Sequence, residues 1–317
     1  MKIEKFEKYD HIEEELLQRL IKLKHPVLIH ELCKQMSITD ERLMSAIDSL
    51  RRSGYDIKSI TSNSQKYYCL VRYGSAESDG FYRVQGEIEL PAIFTADWHI
   101  GSKGFSEIAF RKLVRDVIKH KVKTVVICGD IFQGKGVFRT EAEELVVPDT
   151  DGQMRLGKKY FKEFPSHVKC IGVIGNHEGY LKGSYQVGFD MVKNLAEIVP
   201  SFSYYGHVAL LNIKKKFTVM MMHGGGAPSY AVSYKAQKLW DSLAERPTIL
   251  AFGHLHQLEV LPRPHKNERA YIFQCGTLQR EAAYLLNKGI ISDVGWIILH
   301  DINEEEASFT IHRPIIF

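Results

Sequence analysis

The stretch "CIGVIGNHEGY", Cys170 to Tyr180, sets an apolar run against a polar cluster. Cys170 to Ile174 reads as a buried strand. It ends on a glycine, an amide, an imidazole and a carboxylate in succession, Gly175 to Glu178. One such cluster carries little meaning until other strands bring partners to it. The chain supplies four more candidates: "FTADWHIG" offers Asp97 and His99, "VVICGDIF" offers Asp130, "MMMHGG" offers His223, and "AFGHLHQ" offers His254 and His256. Together with Asn176 and His177, these side chains stand where apolar runs meet a glycine or a polar loop. In open α/β sheets, functional groups gather at the carboxyl ends of strands.

The surrounding pattern supports that placement. From Pro91 onward, short apolar runs alternate with helical ones: "AIFTAD", "TVVICGD", "CIGVIGN", "VALLNI", "FTVMMMHG", "TILAFGH", "AYIFQCG" and "GWIILHD". Strands this apolar are buried on both faces, which makes the region a layered α/β domain. After Ser106, the residues Phe110, Leu113, Val114, Val117 and Ile118 recur on one face of an amphipathic helix.

Carboxylates and imidazoles together suit Mn, Fe or Zn better than Mg or Ca, which prefer all-oxygen shells. In extended backbone Asp97 and His99 point to one face and can grip one ion; His254 and His256 can do the same. Asp130 can bridge two ions. Such a pair, about 3.5–4 Å apart, activates a water and clamps the oxygens of a phosphate. Glycines 129, 175, 224 and 253 permit close approach.

The N-terminal region has a different texture. "HIEEELLQRLIKL" places Ile12, Leu16, Leu17, Leu20 and Ile21 on one helical face. "VLI" reads as a short strand and "HELCKQM" as a short helix. A third helix carries Leu43, Ala46, Ile47 and Leu50, with Thr39 or Asp40 as N-cap and Gly54 as its stop. "DIKSITSNSQKYYCLV" reads as a hairpin. This order resembles a winged helix-turn-helix. The expected limits are an accessory domain over 1–72, a linker over 73–90 and the α/β domain over 91–317.

The formal net charge of the 317-residue chain is +4, compatible with a phosphate-bearing partner without requiring one. Residues 1–75 hold 13 Lys and Arg against 11 Asp and Glu, a weak basic excess for a DNA reader. Lys58 and Lys66 on the hairpin are the best phosphate contacts there. Lys135 and Arg139 are candidates to line a substrate path next to the Asp130 strand. Five scattered cysteines without a C-x-x-C pair argue against a disulfide framework or a cysteine zinc site. No apolar run reaches membrane-spanning length and the start lacks a signal-peptide core. The expected setting is cytoplasmic, with no membrane partner.

The series D-W-H, G-D, G-N-H-E, H-G and G-H-L-H resembles the calcineurin-like metallophosphoesterase superfamily, over roughly residues 91–301. That resemblance implies a β-sandwich flanked by helices and two divalent ions, Mn foremost, with Fe or Zn as alternatives. It implies one ion on Asp97, His99, Asp130 and His256, and a second on Asp130, Asn176, His223 and His254. His177 would be catalytic, and a metal-bridging hydroxide would attack phosphorus in line. "DWHIGSKGFSEIAFRKLV" and "CGTLQREAAYLLNKGIISDVGWIILHDI" further resemble the phosphodiesterase domain of the archaeal D-family DNA polymerase small subunit, and more distantly the double-strand-break repair nucleases. The implied function is a Mn-dependent DNA phosphodiesterase, a 3′-end exonuclease in replication or repair, with DNA and a replication or repair protein as partners. The polymerase subunit carries an OB-type domain where this chain has its winged-helix-like one. Gln133 stands where relatives often have an Asp or His that tunes the catalytic histidine. The same metal motifs would serve a phosphomonoesterase or a small-nucleotide phosphodiesterase, and a non-catalytic scaffold subunit is the other alternative.

Overall fold

The computed structural model describes residues 11–22, 27–52, 57–62, 65–70, 84–135, 143–179, 191–225, 232–243, 246–265, 268–280 and 291–315. Gly54, Arg139 and residues 73–83 lie outside these, as do the side chains of Ile21, Lys58 and Lys66. The chain divides into two compact units, Met1–Gly80 and Phe81–Phe317.

The first unit runs α1 (His11–Lys22), β1 (Val27–Leu28), α2 (Ile29–Met36), α3 (Asp40–Arg52), β2 (Ile57–Ser62) and β3 (Gln65–Leu70). Thr39 caps α3, its hydroxyl accepting from Arg42 N at 3.3 Å. The three strands form an antiparallel sheet in the order β1-β3-β2. Leu16, Leu20, Leu32, Leu43, Ile47 and Leu50 fill the small core against Ile57 and Tyr68. The helical periodicity of the sequence thus becomes one shared apolar interior.

The second unit opens with β4 (Gly86–Glu87), which pairs in parallel with β9 (Val208–Ile213). Gly86 and Glu87, expected in the linker, are therefore part of a sheet. The elements between are β5 (Ala92–Thr95), α4 (Glu107–Lys119), β6 (Thr124–Ile127), α5 (Thr150–Phe161), β7 (Lys169–Gly172), α6 (Asn176–Gly179), α7 (Met191–Ile198) and β8 (Phe202–Tyr204). After β9 come β10 (Phe217–Met222), α8 (Val232–Ser242), β11 (Ile249–Phe252), β12 (Glu259–His265), β13 (Glu268–Gln274), β14 (Trp296–Ile302) and β15 (Ala307–His312). Two six-stranded sheets result, in the orders β12-β13-β11-β10-β9-β4 and β15-β14-β5-β6-β7-β8. All eight strands expected from the α/β part of the sequence are present.

Their continuous apolarity has a direct cause. The sheets face each other across Ala92, Phe94, Val126, Ala209, Val219, Met221, Ala251 and Phe273. Intervening residues of the same strands point outward. Ile93, Val125 and Ile127 meet α4, α5 and α7, while Met220 and Leu250 meet Ala236 and Trp240 of α8. Helix, sheet, sheet, helix is the layer order, and the period-two alternation assigns each residue to one of two cores. Ser106 caps α4 through Ala109 N at 3.2 Å. Ile118, expected on the apolar face of that helix, is 59% exposed instead, since it lies at the far edge of the stripe in the last turn.

Phe273 packs edge-on against Phe94 of the opposite sheet, with ring centroids 5.1 Å apart. Phe273→Ala is expected to cost about 3–5 kcal/mol in denaturant unfolding. Ile118→Ala should stay within about 0.5 kcal/mol of wild type.

Candidate metal centre

Five strands, β5, β6 and β7 of one sheet and β10 and β11 of the other, end at the same edge of the sandwich. Just beyond Thr95, Ile127, Gly172, Met222 and Phe252 stand Asp97 and His99, Asp130, Asn176 and His177, His223, and His254 and His256. The structure brings all eight side chains together. His99 Nε2 and His256 Nε2 lie 3.0 Å apart, with Asp97 Oδ1 at 3.9 and 3.6 Å from them. Asn176 Oδ1 lies 2.9 Å from His223 Nε2 and 2.7 Å from His254 Nδ1. Asp130 Oδ2 stands between the two groups, 3.1 Å from His223 Nε2 and 4.0 Å from His99 Nε2.

The route to this convergence differs from extended alternation. Asp97, His99, Asp130, His254 and His256 all adopt left-handed φ, between 51° and 75°. The D-x-H and H-x-H donors share a face because two left-handed residues flank one that turns into the core. Trp98 is fully buried against Phe110 and Phe161, at centroid distances of 5.6 and 5.4 Å. Leu255 is likewise buried, in the core under α8. Main-chain amides hold the turns: Asp97 N donates to Gly129 O at 3.0 Å, His99 N to Asp130 O at 3.0 Å, and His254 N to the Asp97 carboxylate Oδ2 at 2.8 Å. Gly175 permits the closest approach. A Cβ there would lie 2.0 Å from Asp130 Oδ1 and 2.3 Å from Asp130 N.

The remaining members of "GNHE" have separate tasks. Glu178 is buried and accepts from Phe132 N at 2.8 Å and Gly175 N at 2.9 Å, which ties the turn to the loop after Asp130. His177 N donates to Asp130 Oδ1 at 2.8 Å. The ring Nδ1 of His177 meets the main-chain carbonyl of Gln133 at 2.8 Å. A carbonyl only accepts, so Nδ1 carries a proton and Nε2 is left facing the cluster, 3.9 Å from Asp130 Oδ2. The sequence drew attention to the Gln133 side chain; the orienting contact comes from its backbone, which no side-chain motif reveals.

Burial and mutual charge set the protonation pattern. Burial pushes Asp97 well above the carboxylate range, with Asp130 adding to the rise. Burial also pushes Asp130 upward, but His223, His177 and His99 overcome it and hold the carboxyl well below its usual value. His223 is raised to about 10 because attraction to Asp130 outweighs its desolvation. Burial lowers His256 to about 3 and holds His99 well below the imidazole range. Glu178 is raised to about 8, by burial and then by Asp130.

These residues fit divalent cations. Asp97 Oδ1 is buried without a hydrogen-bond partner, and the Nε2 atoms of His99 and His256 face it at 3.9 and 3.6 Å. Buried polar atoms in that condition are costly. Asp97, His99 and His256 form one group of donor atoms within 4.8 Å of one another, and Asp130, His223 and His254 another. Carboxylate-imidazole sets of this kind hold Mn, Fe or Zn. Of the substrate-path candidates, Lys135 is exposed on the loop after Asp130.

The calcineurin-like phosphoesterase model matches residues 90–280, and the chain belongs to that family. It is a metallophosphoesterase, of a family that uses divalent metals. It is similar to the DNA polymerase II small subunit of Archaeoglobus fulgidus, 28% identical over 42% of this chain and 29% of that protein. The corresponding subunit of Methanothermobacter thermautotrophicus is 31% identical over 31% of this chain and 23% of that one. The matched segment thus spans under a third of either relative. Among solved structures, an E. coli phosphoesterase, Yfce, is 13% identical over 69% of this chain and 97% of its own, with TM-score 0.35. The Pseudomonas putida nuclease MPE is 17% identical over 72% and 89%, with TM-score 0.31.

Because a Cβ at residue 175 would displace Asp130, Gly175→Ala should lower bound Mn per chain, read by elemental analysis after equilibration and desalting, and abolish most turnover. Full metal content in that variant would mean that the turn can yield without moving Asp130.

Proposed function

We propose that the chain is a two-metal phosphodiesterase acting on DNA ends, Mn-dependent, in a cytoplasmic replication or repair setting. The observation that carries the reading is Asp130 Oδ2 standing between two converging donor groups at 3.1 and 4.0 Å. Asp97, His99, Asp130 and His256 would hold one ion, and Asp130, Asn176, His223 and His254 the other. Bound divalent ions supply Lewis-acid polarisation of phosphoryl oxygens and a water of lowered pKa. The protein's own groups do the rest. Asn176 offers a neutral carbonyl oxygen, adding no charge beside the two aspartates. His177, its Nδ1–H fixed on the Gln133 carbonyl, presents Nε2 to the phosphate. When protonated there, it gives its proton to the departing oxygen. DNA as substrate is supported by the relatives named as DNA polymerase II small subunits.

In this reading residues 1–72 are a winged-helix accessory domain, and Lys58 and Lys66 on its hairpin contact phosphates. Its order of helix, strand, helix, helix and hairpin supports that assignment. Residues 73–90 link it to the catalytic domain over 91–317, with β4 already belonging to the latter's sheet. Lys135 and Arg139 would line the substrate path, and a replication or repair protein would be a further partner.

His177→Ala should lower kcat on a chromogenic diester with Mn by about 10²–10⁴-fold while keeping metal content. Gln133→Ala should lower it far less, because the main-chain carbonyl remains. Near-normal turnover of His177→Ala with metals bound would remove His177 from the mechanism. Asp130→Asn should reduce occupancy of both ions.

A fragment beginning at Phe81 should retain the diester activity. It should bind long DNA more weakly than the full chain at low salt, and the difference should shrink as salt rises. Equal DNA affinity of the two would assign the N-terminal unit to a protein partner.

A further inference from the structure

A cleft of about 520 Å³ opens beside the donor cluster, and Asn176 and His223 belong to both. We propose that this cleft receives the nucleoside of the phosphodiester substrate, with Lys235 as a contact to a neighbouring phosphate. The inference rests on the phosphodiesterase reading and adds to it the place of the nucleoside and the residues that receive it.

The cleft has the size of a ligand site and is lined by Val208, Met222, Phe252, Leu255 and Leu239. Phe252 and Leu255 are buried in the core that joins the second sheet to α8, so this apolar wall is backed by packed side chains. Lys235 and Leu239 both line the cleft and stand one turn apart on α8, neighbours on a helix surface. Ala236 and Trp240, on the same helix, anchor it in the core. No carboxylate lines the cleft among the described residues, and Lys235 is its one lining lysine or arginine; His223, which also lines it, is paired with Asp130. Among those residues Lys235 has no hydrogen bond or ion pair.

Apolar walls with one unpaired cation suit a ligand that joins a flat apolar group to an anion. A nucleotide has that form. A sugar phosphate would set hydroxyls against Met222 and Phe252, and inorganic phosphate would leave the walls bare. The position supplies the direction. An ester whose phosphorus lies at Asn176 and His223 carries a substituent on that side, and the cleft begins at those two residues. Base contacts with apolar and aromatic side chains tolerate every base, so the cleft would select nucleoside esters over simple alkyl esters without choosing among sequences.

The test compares two diesters with the same p-nitrophenolate leaving group, thymidine 5′-(p-nitrophenyl phosphate) and methyl p-nitrophenyl phosphate, on the full chain with Mn. Wild type should favour the thymidine ester. Leu239→Trp fills the cleft. Gly225→Phe narrows it from a second side, where an added Cβ meets no heavy atom within 4 Å. In both variants kcat/KM for the thymidine ester should fall about tenfold more than for the methyl ester, the scale of a lost pocket contact. Lys235→Ala should raise KM for the thymidine ester more than it lowers kcat, with the rise smaller at high salt. A ratio of the two kcat/KM values within about twofold of wild type in the folded Gly225→Phe protein would overturn the cleft assignment. Turnover of p-nitrophenyl phosphate but of neither diester by wild type would instead overturn the phosphodiesterase reading, and the cleft assignment with it.

Discussion

Asp130 is a carboxylate at 2% exposure, and the arrangement of the whole edge follows from keeping it charged there. An ion taken out of water at such depth costs several kcal/mol unless charges and donors replace the water. Three imidazoles do so from three elements: His223 at 3.1 Å, His177 at 3.9 Å and His99 at 4.0 Å from Oδ2. The other oxygen accepts the His177 amide. That amide can reach it only because residue 175 has no side chain, and Glu178 then clamps the turn to Phe132. The order Gly, Asn, His, Glu is therefore a geometric consequence of Asp130: clearance, donor, ring and clamp.

Five of the donors sit in left-handed backbone, which costs of order 1–3 kcal/mol for each non-glycine residue. The surrounding structure compensates with bonds to the strained units themselves. Asp97 O accepts from Thr277 Oγ1 at 2.5 Å and from Leu278 N at 3.1 Å, and His256 O accepts from Asp293 N at 2.7 Å. Trp98 and Leu255 lock the middle residue of each pair in a core. The double-sheet sandwich thus serves the site in a specific way: it provides two cores, one on each side, into which the alternating residues of a kinked strand end can be driven.

This explains which parts were legible in the sequence. Inner strands such as β6 and β11 announce themselves because both faces are buried and the run is unbroken. The edge strands do not. β12 contains Pro262 and Pro264, which only an edge position tolerates, and β15 alternates half-buried with exposed residues over its first four positions. The side chains that converge at the edge were legible because strand ends concentrate them. Their left-handed conformation was not, since Asp and His give weak local signals for it. The Gln133 carbonyl was invisible for a deeper reason: a backbone acceptor leaves no mark in residue type. The cleft beside Asn176 was hidden too, because its lining comes from β9, β10, α8 and the segment around β11 and is assembled only by the fold.

The two halves of the cluster are electrostatically unlike. Around Asp97, burial favours neutral groups: the carboxyl is pushed up, and the imidazoles of His99 and His256 are pushed down. Around Asp130, the carboxylate and His223 hold each other charged, an ion pair in place of neutrality. A divalent cation favours carboxylate anions and neutral imidazoles as ligands. Binding in the first half, it would displace a proton from Asp97; binding in the second, it would displace one from His223. Protons are released in either case, so loading of each half strengthens as pH rises. The difference lies in what each half does without a cation. The first would be left with the buried, unpartnered Asp97 Oδ1, whereas the second would keep its internal pair at 3.1 Å. A cation in the second half would therefore compete with an existing ion pair, and one in the first would not.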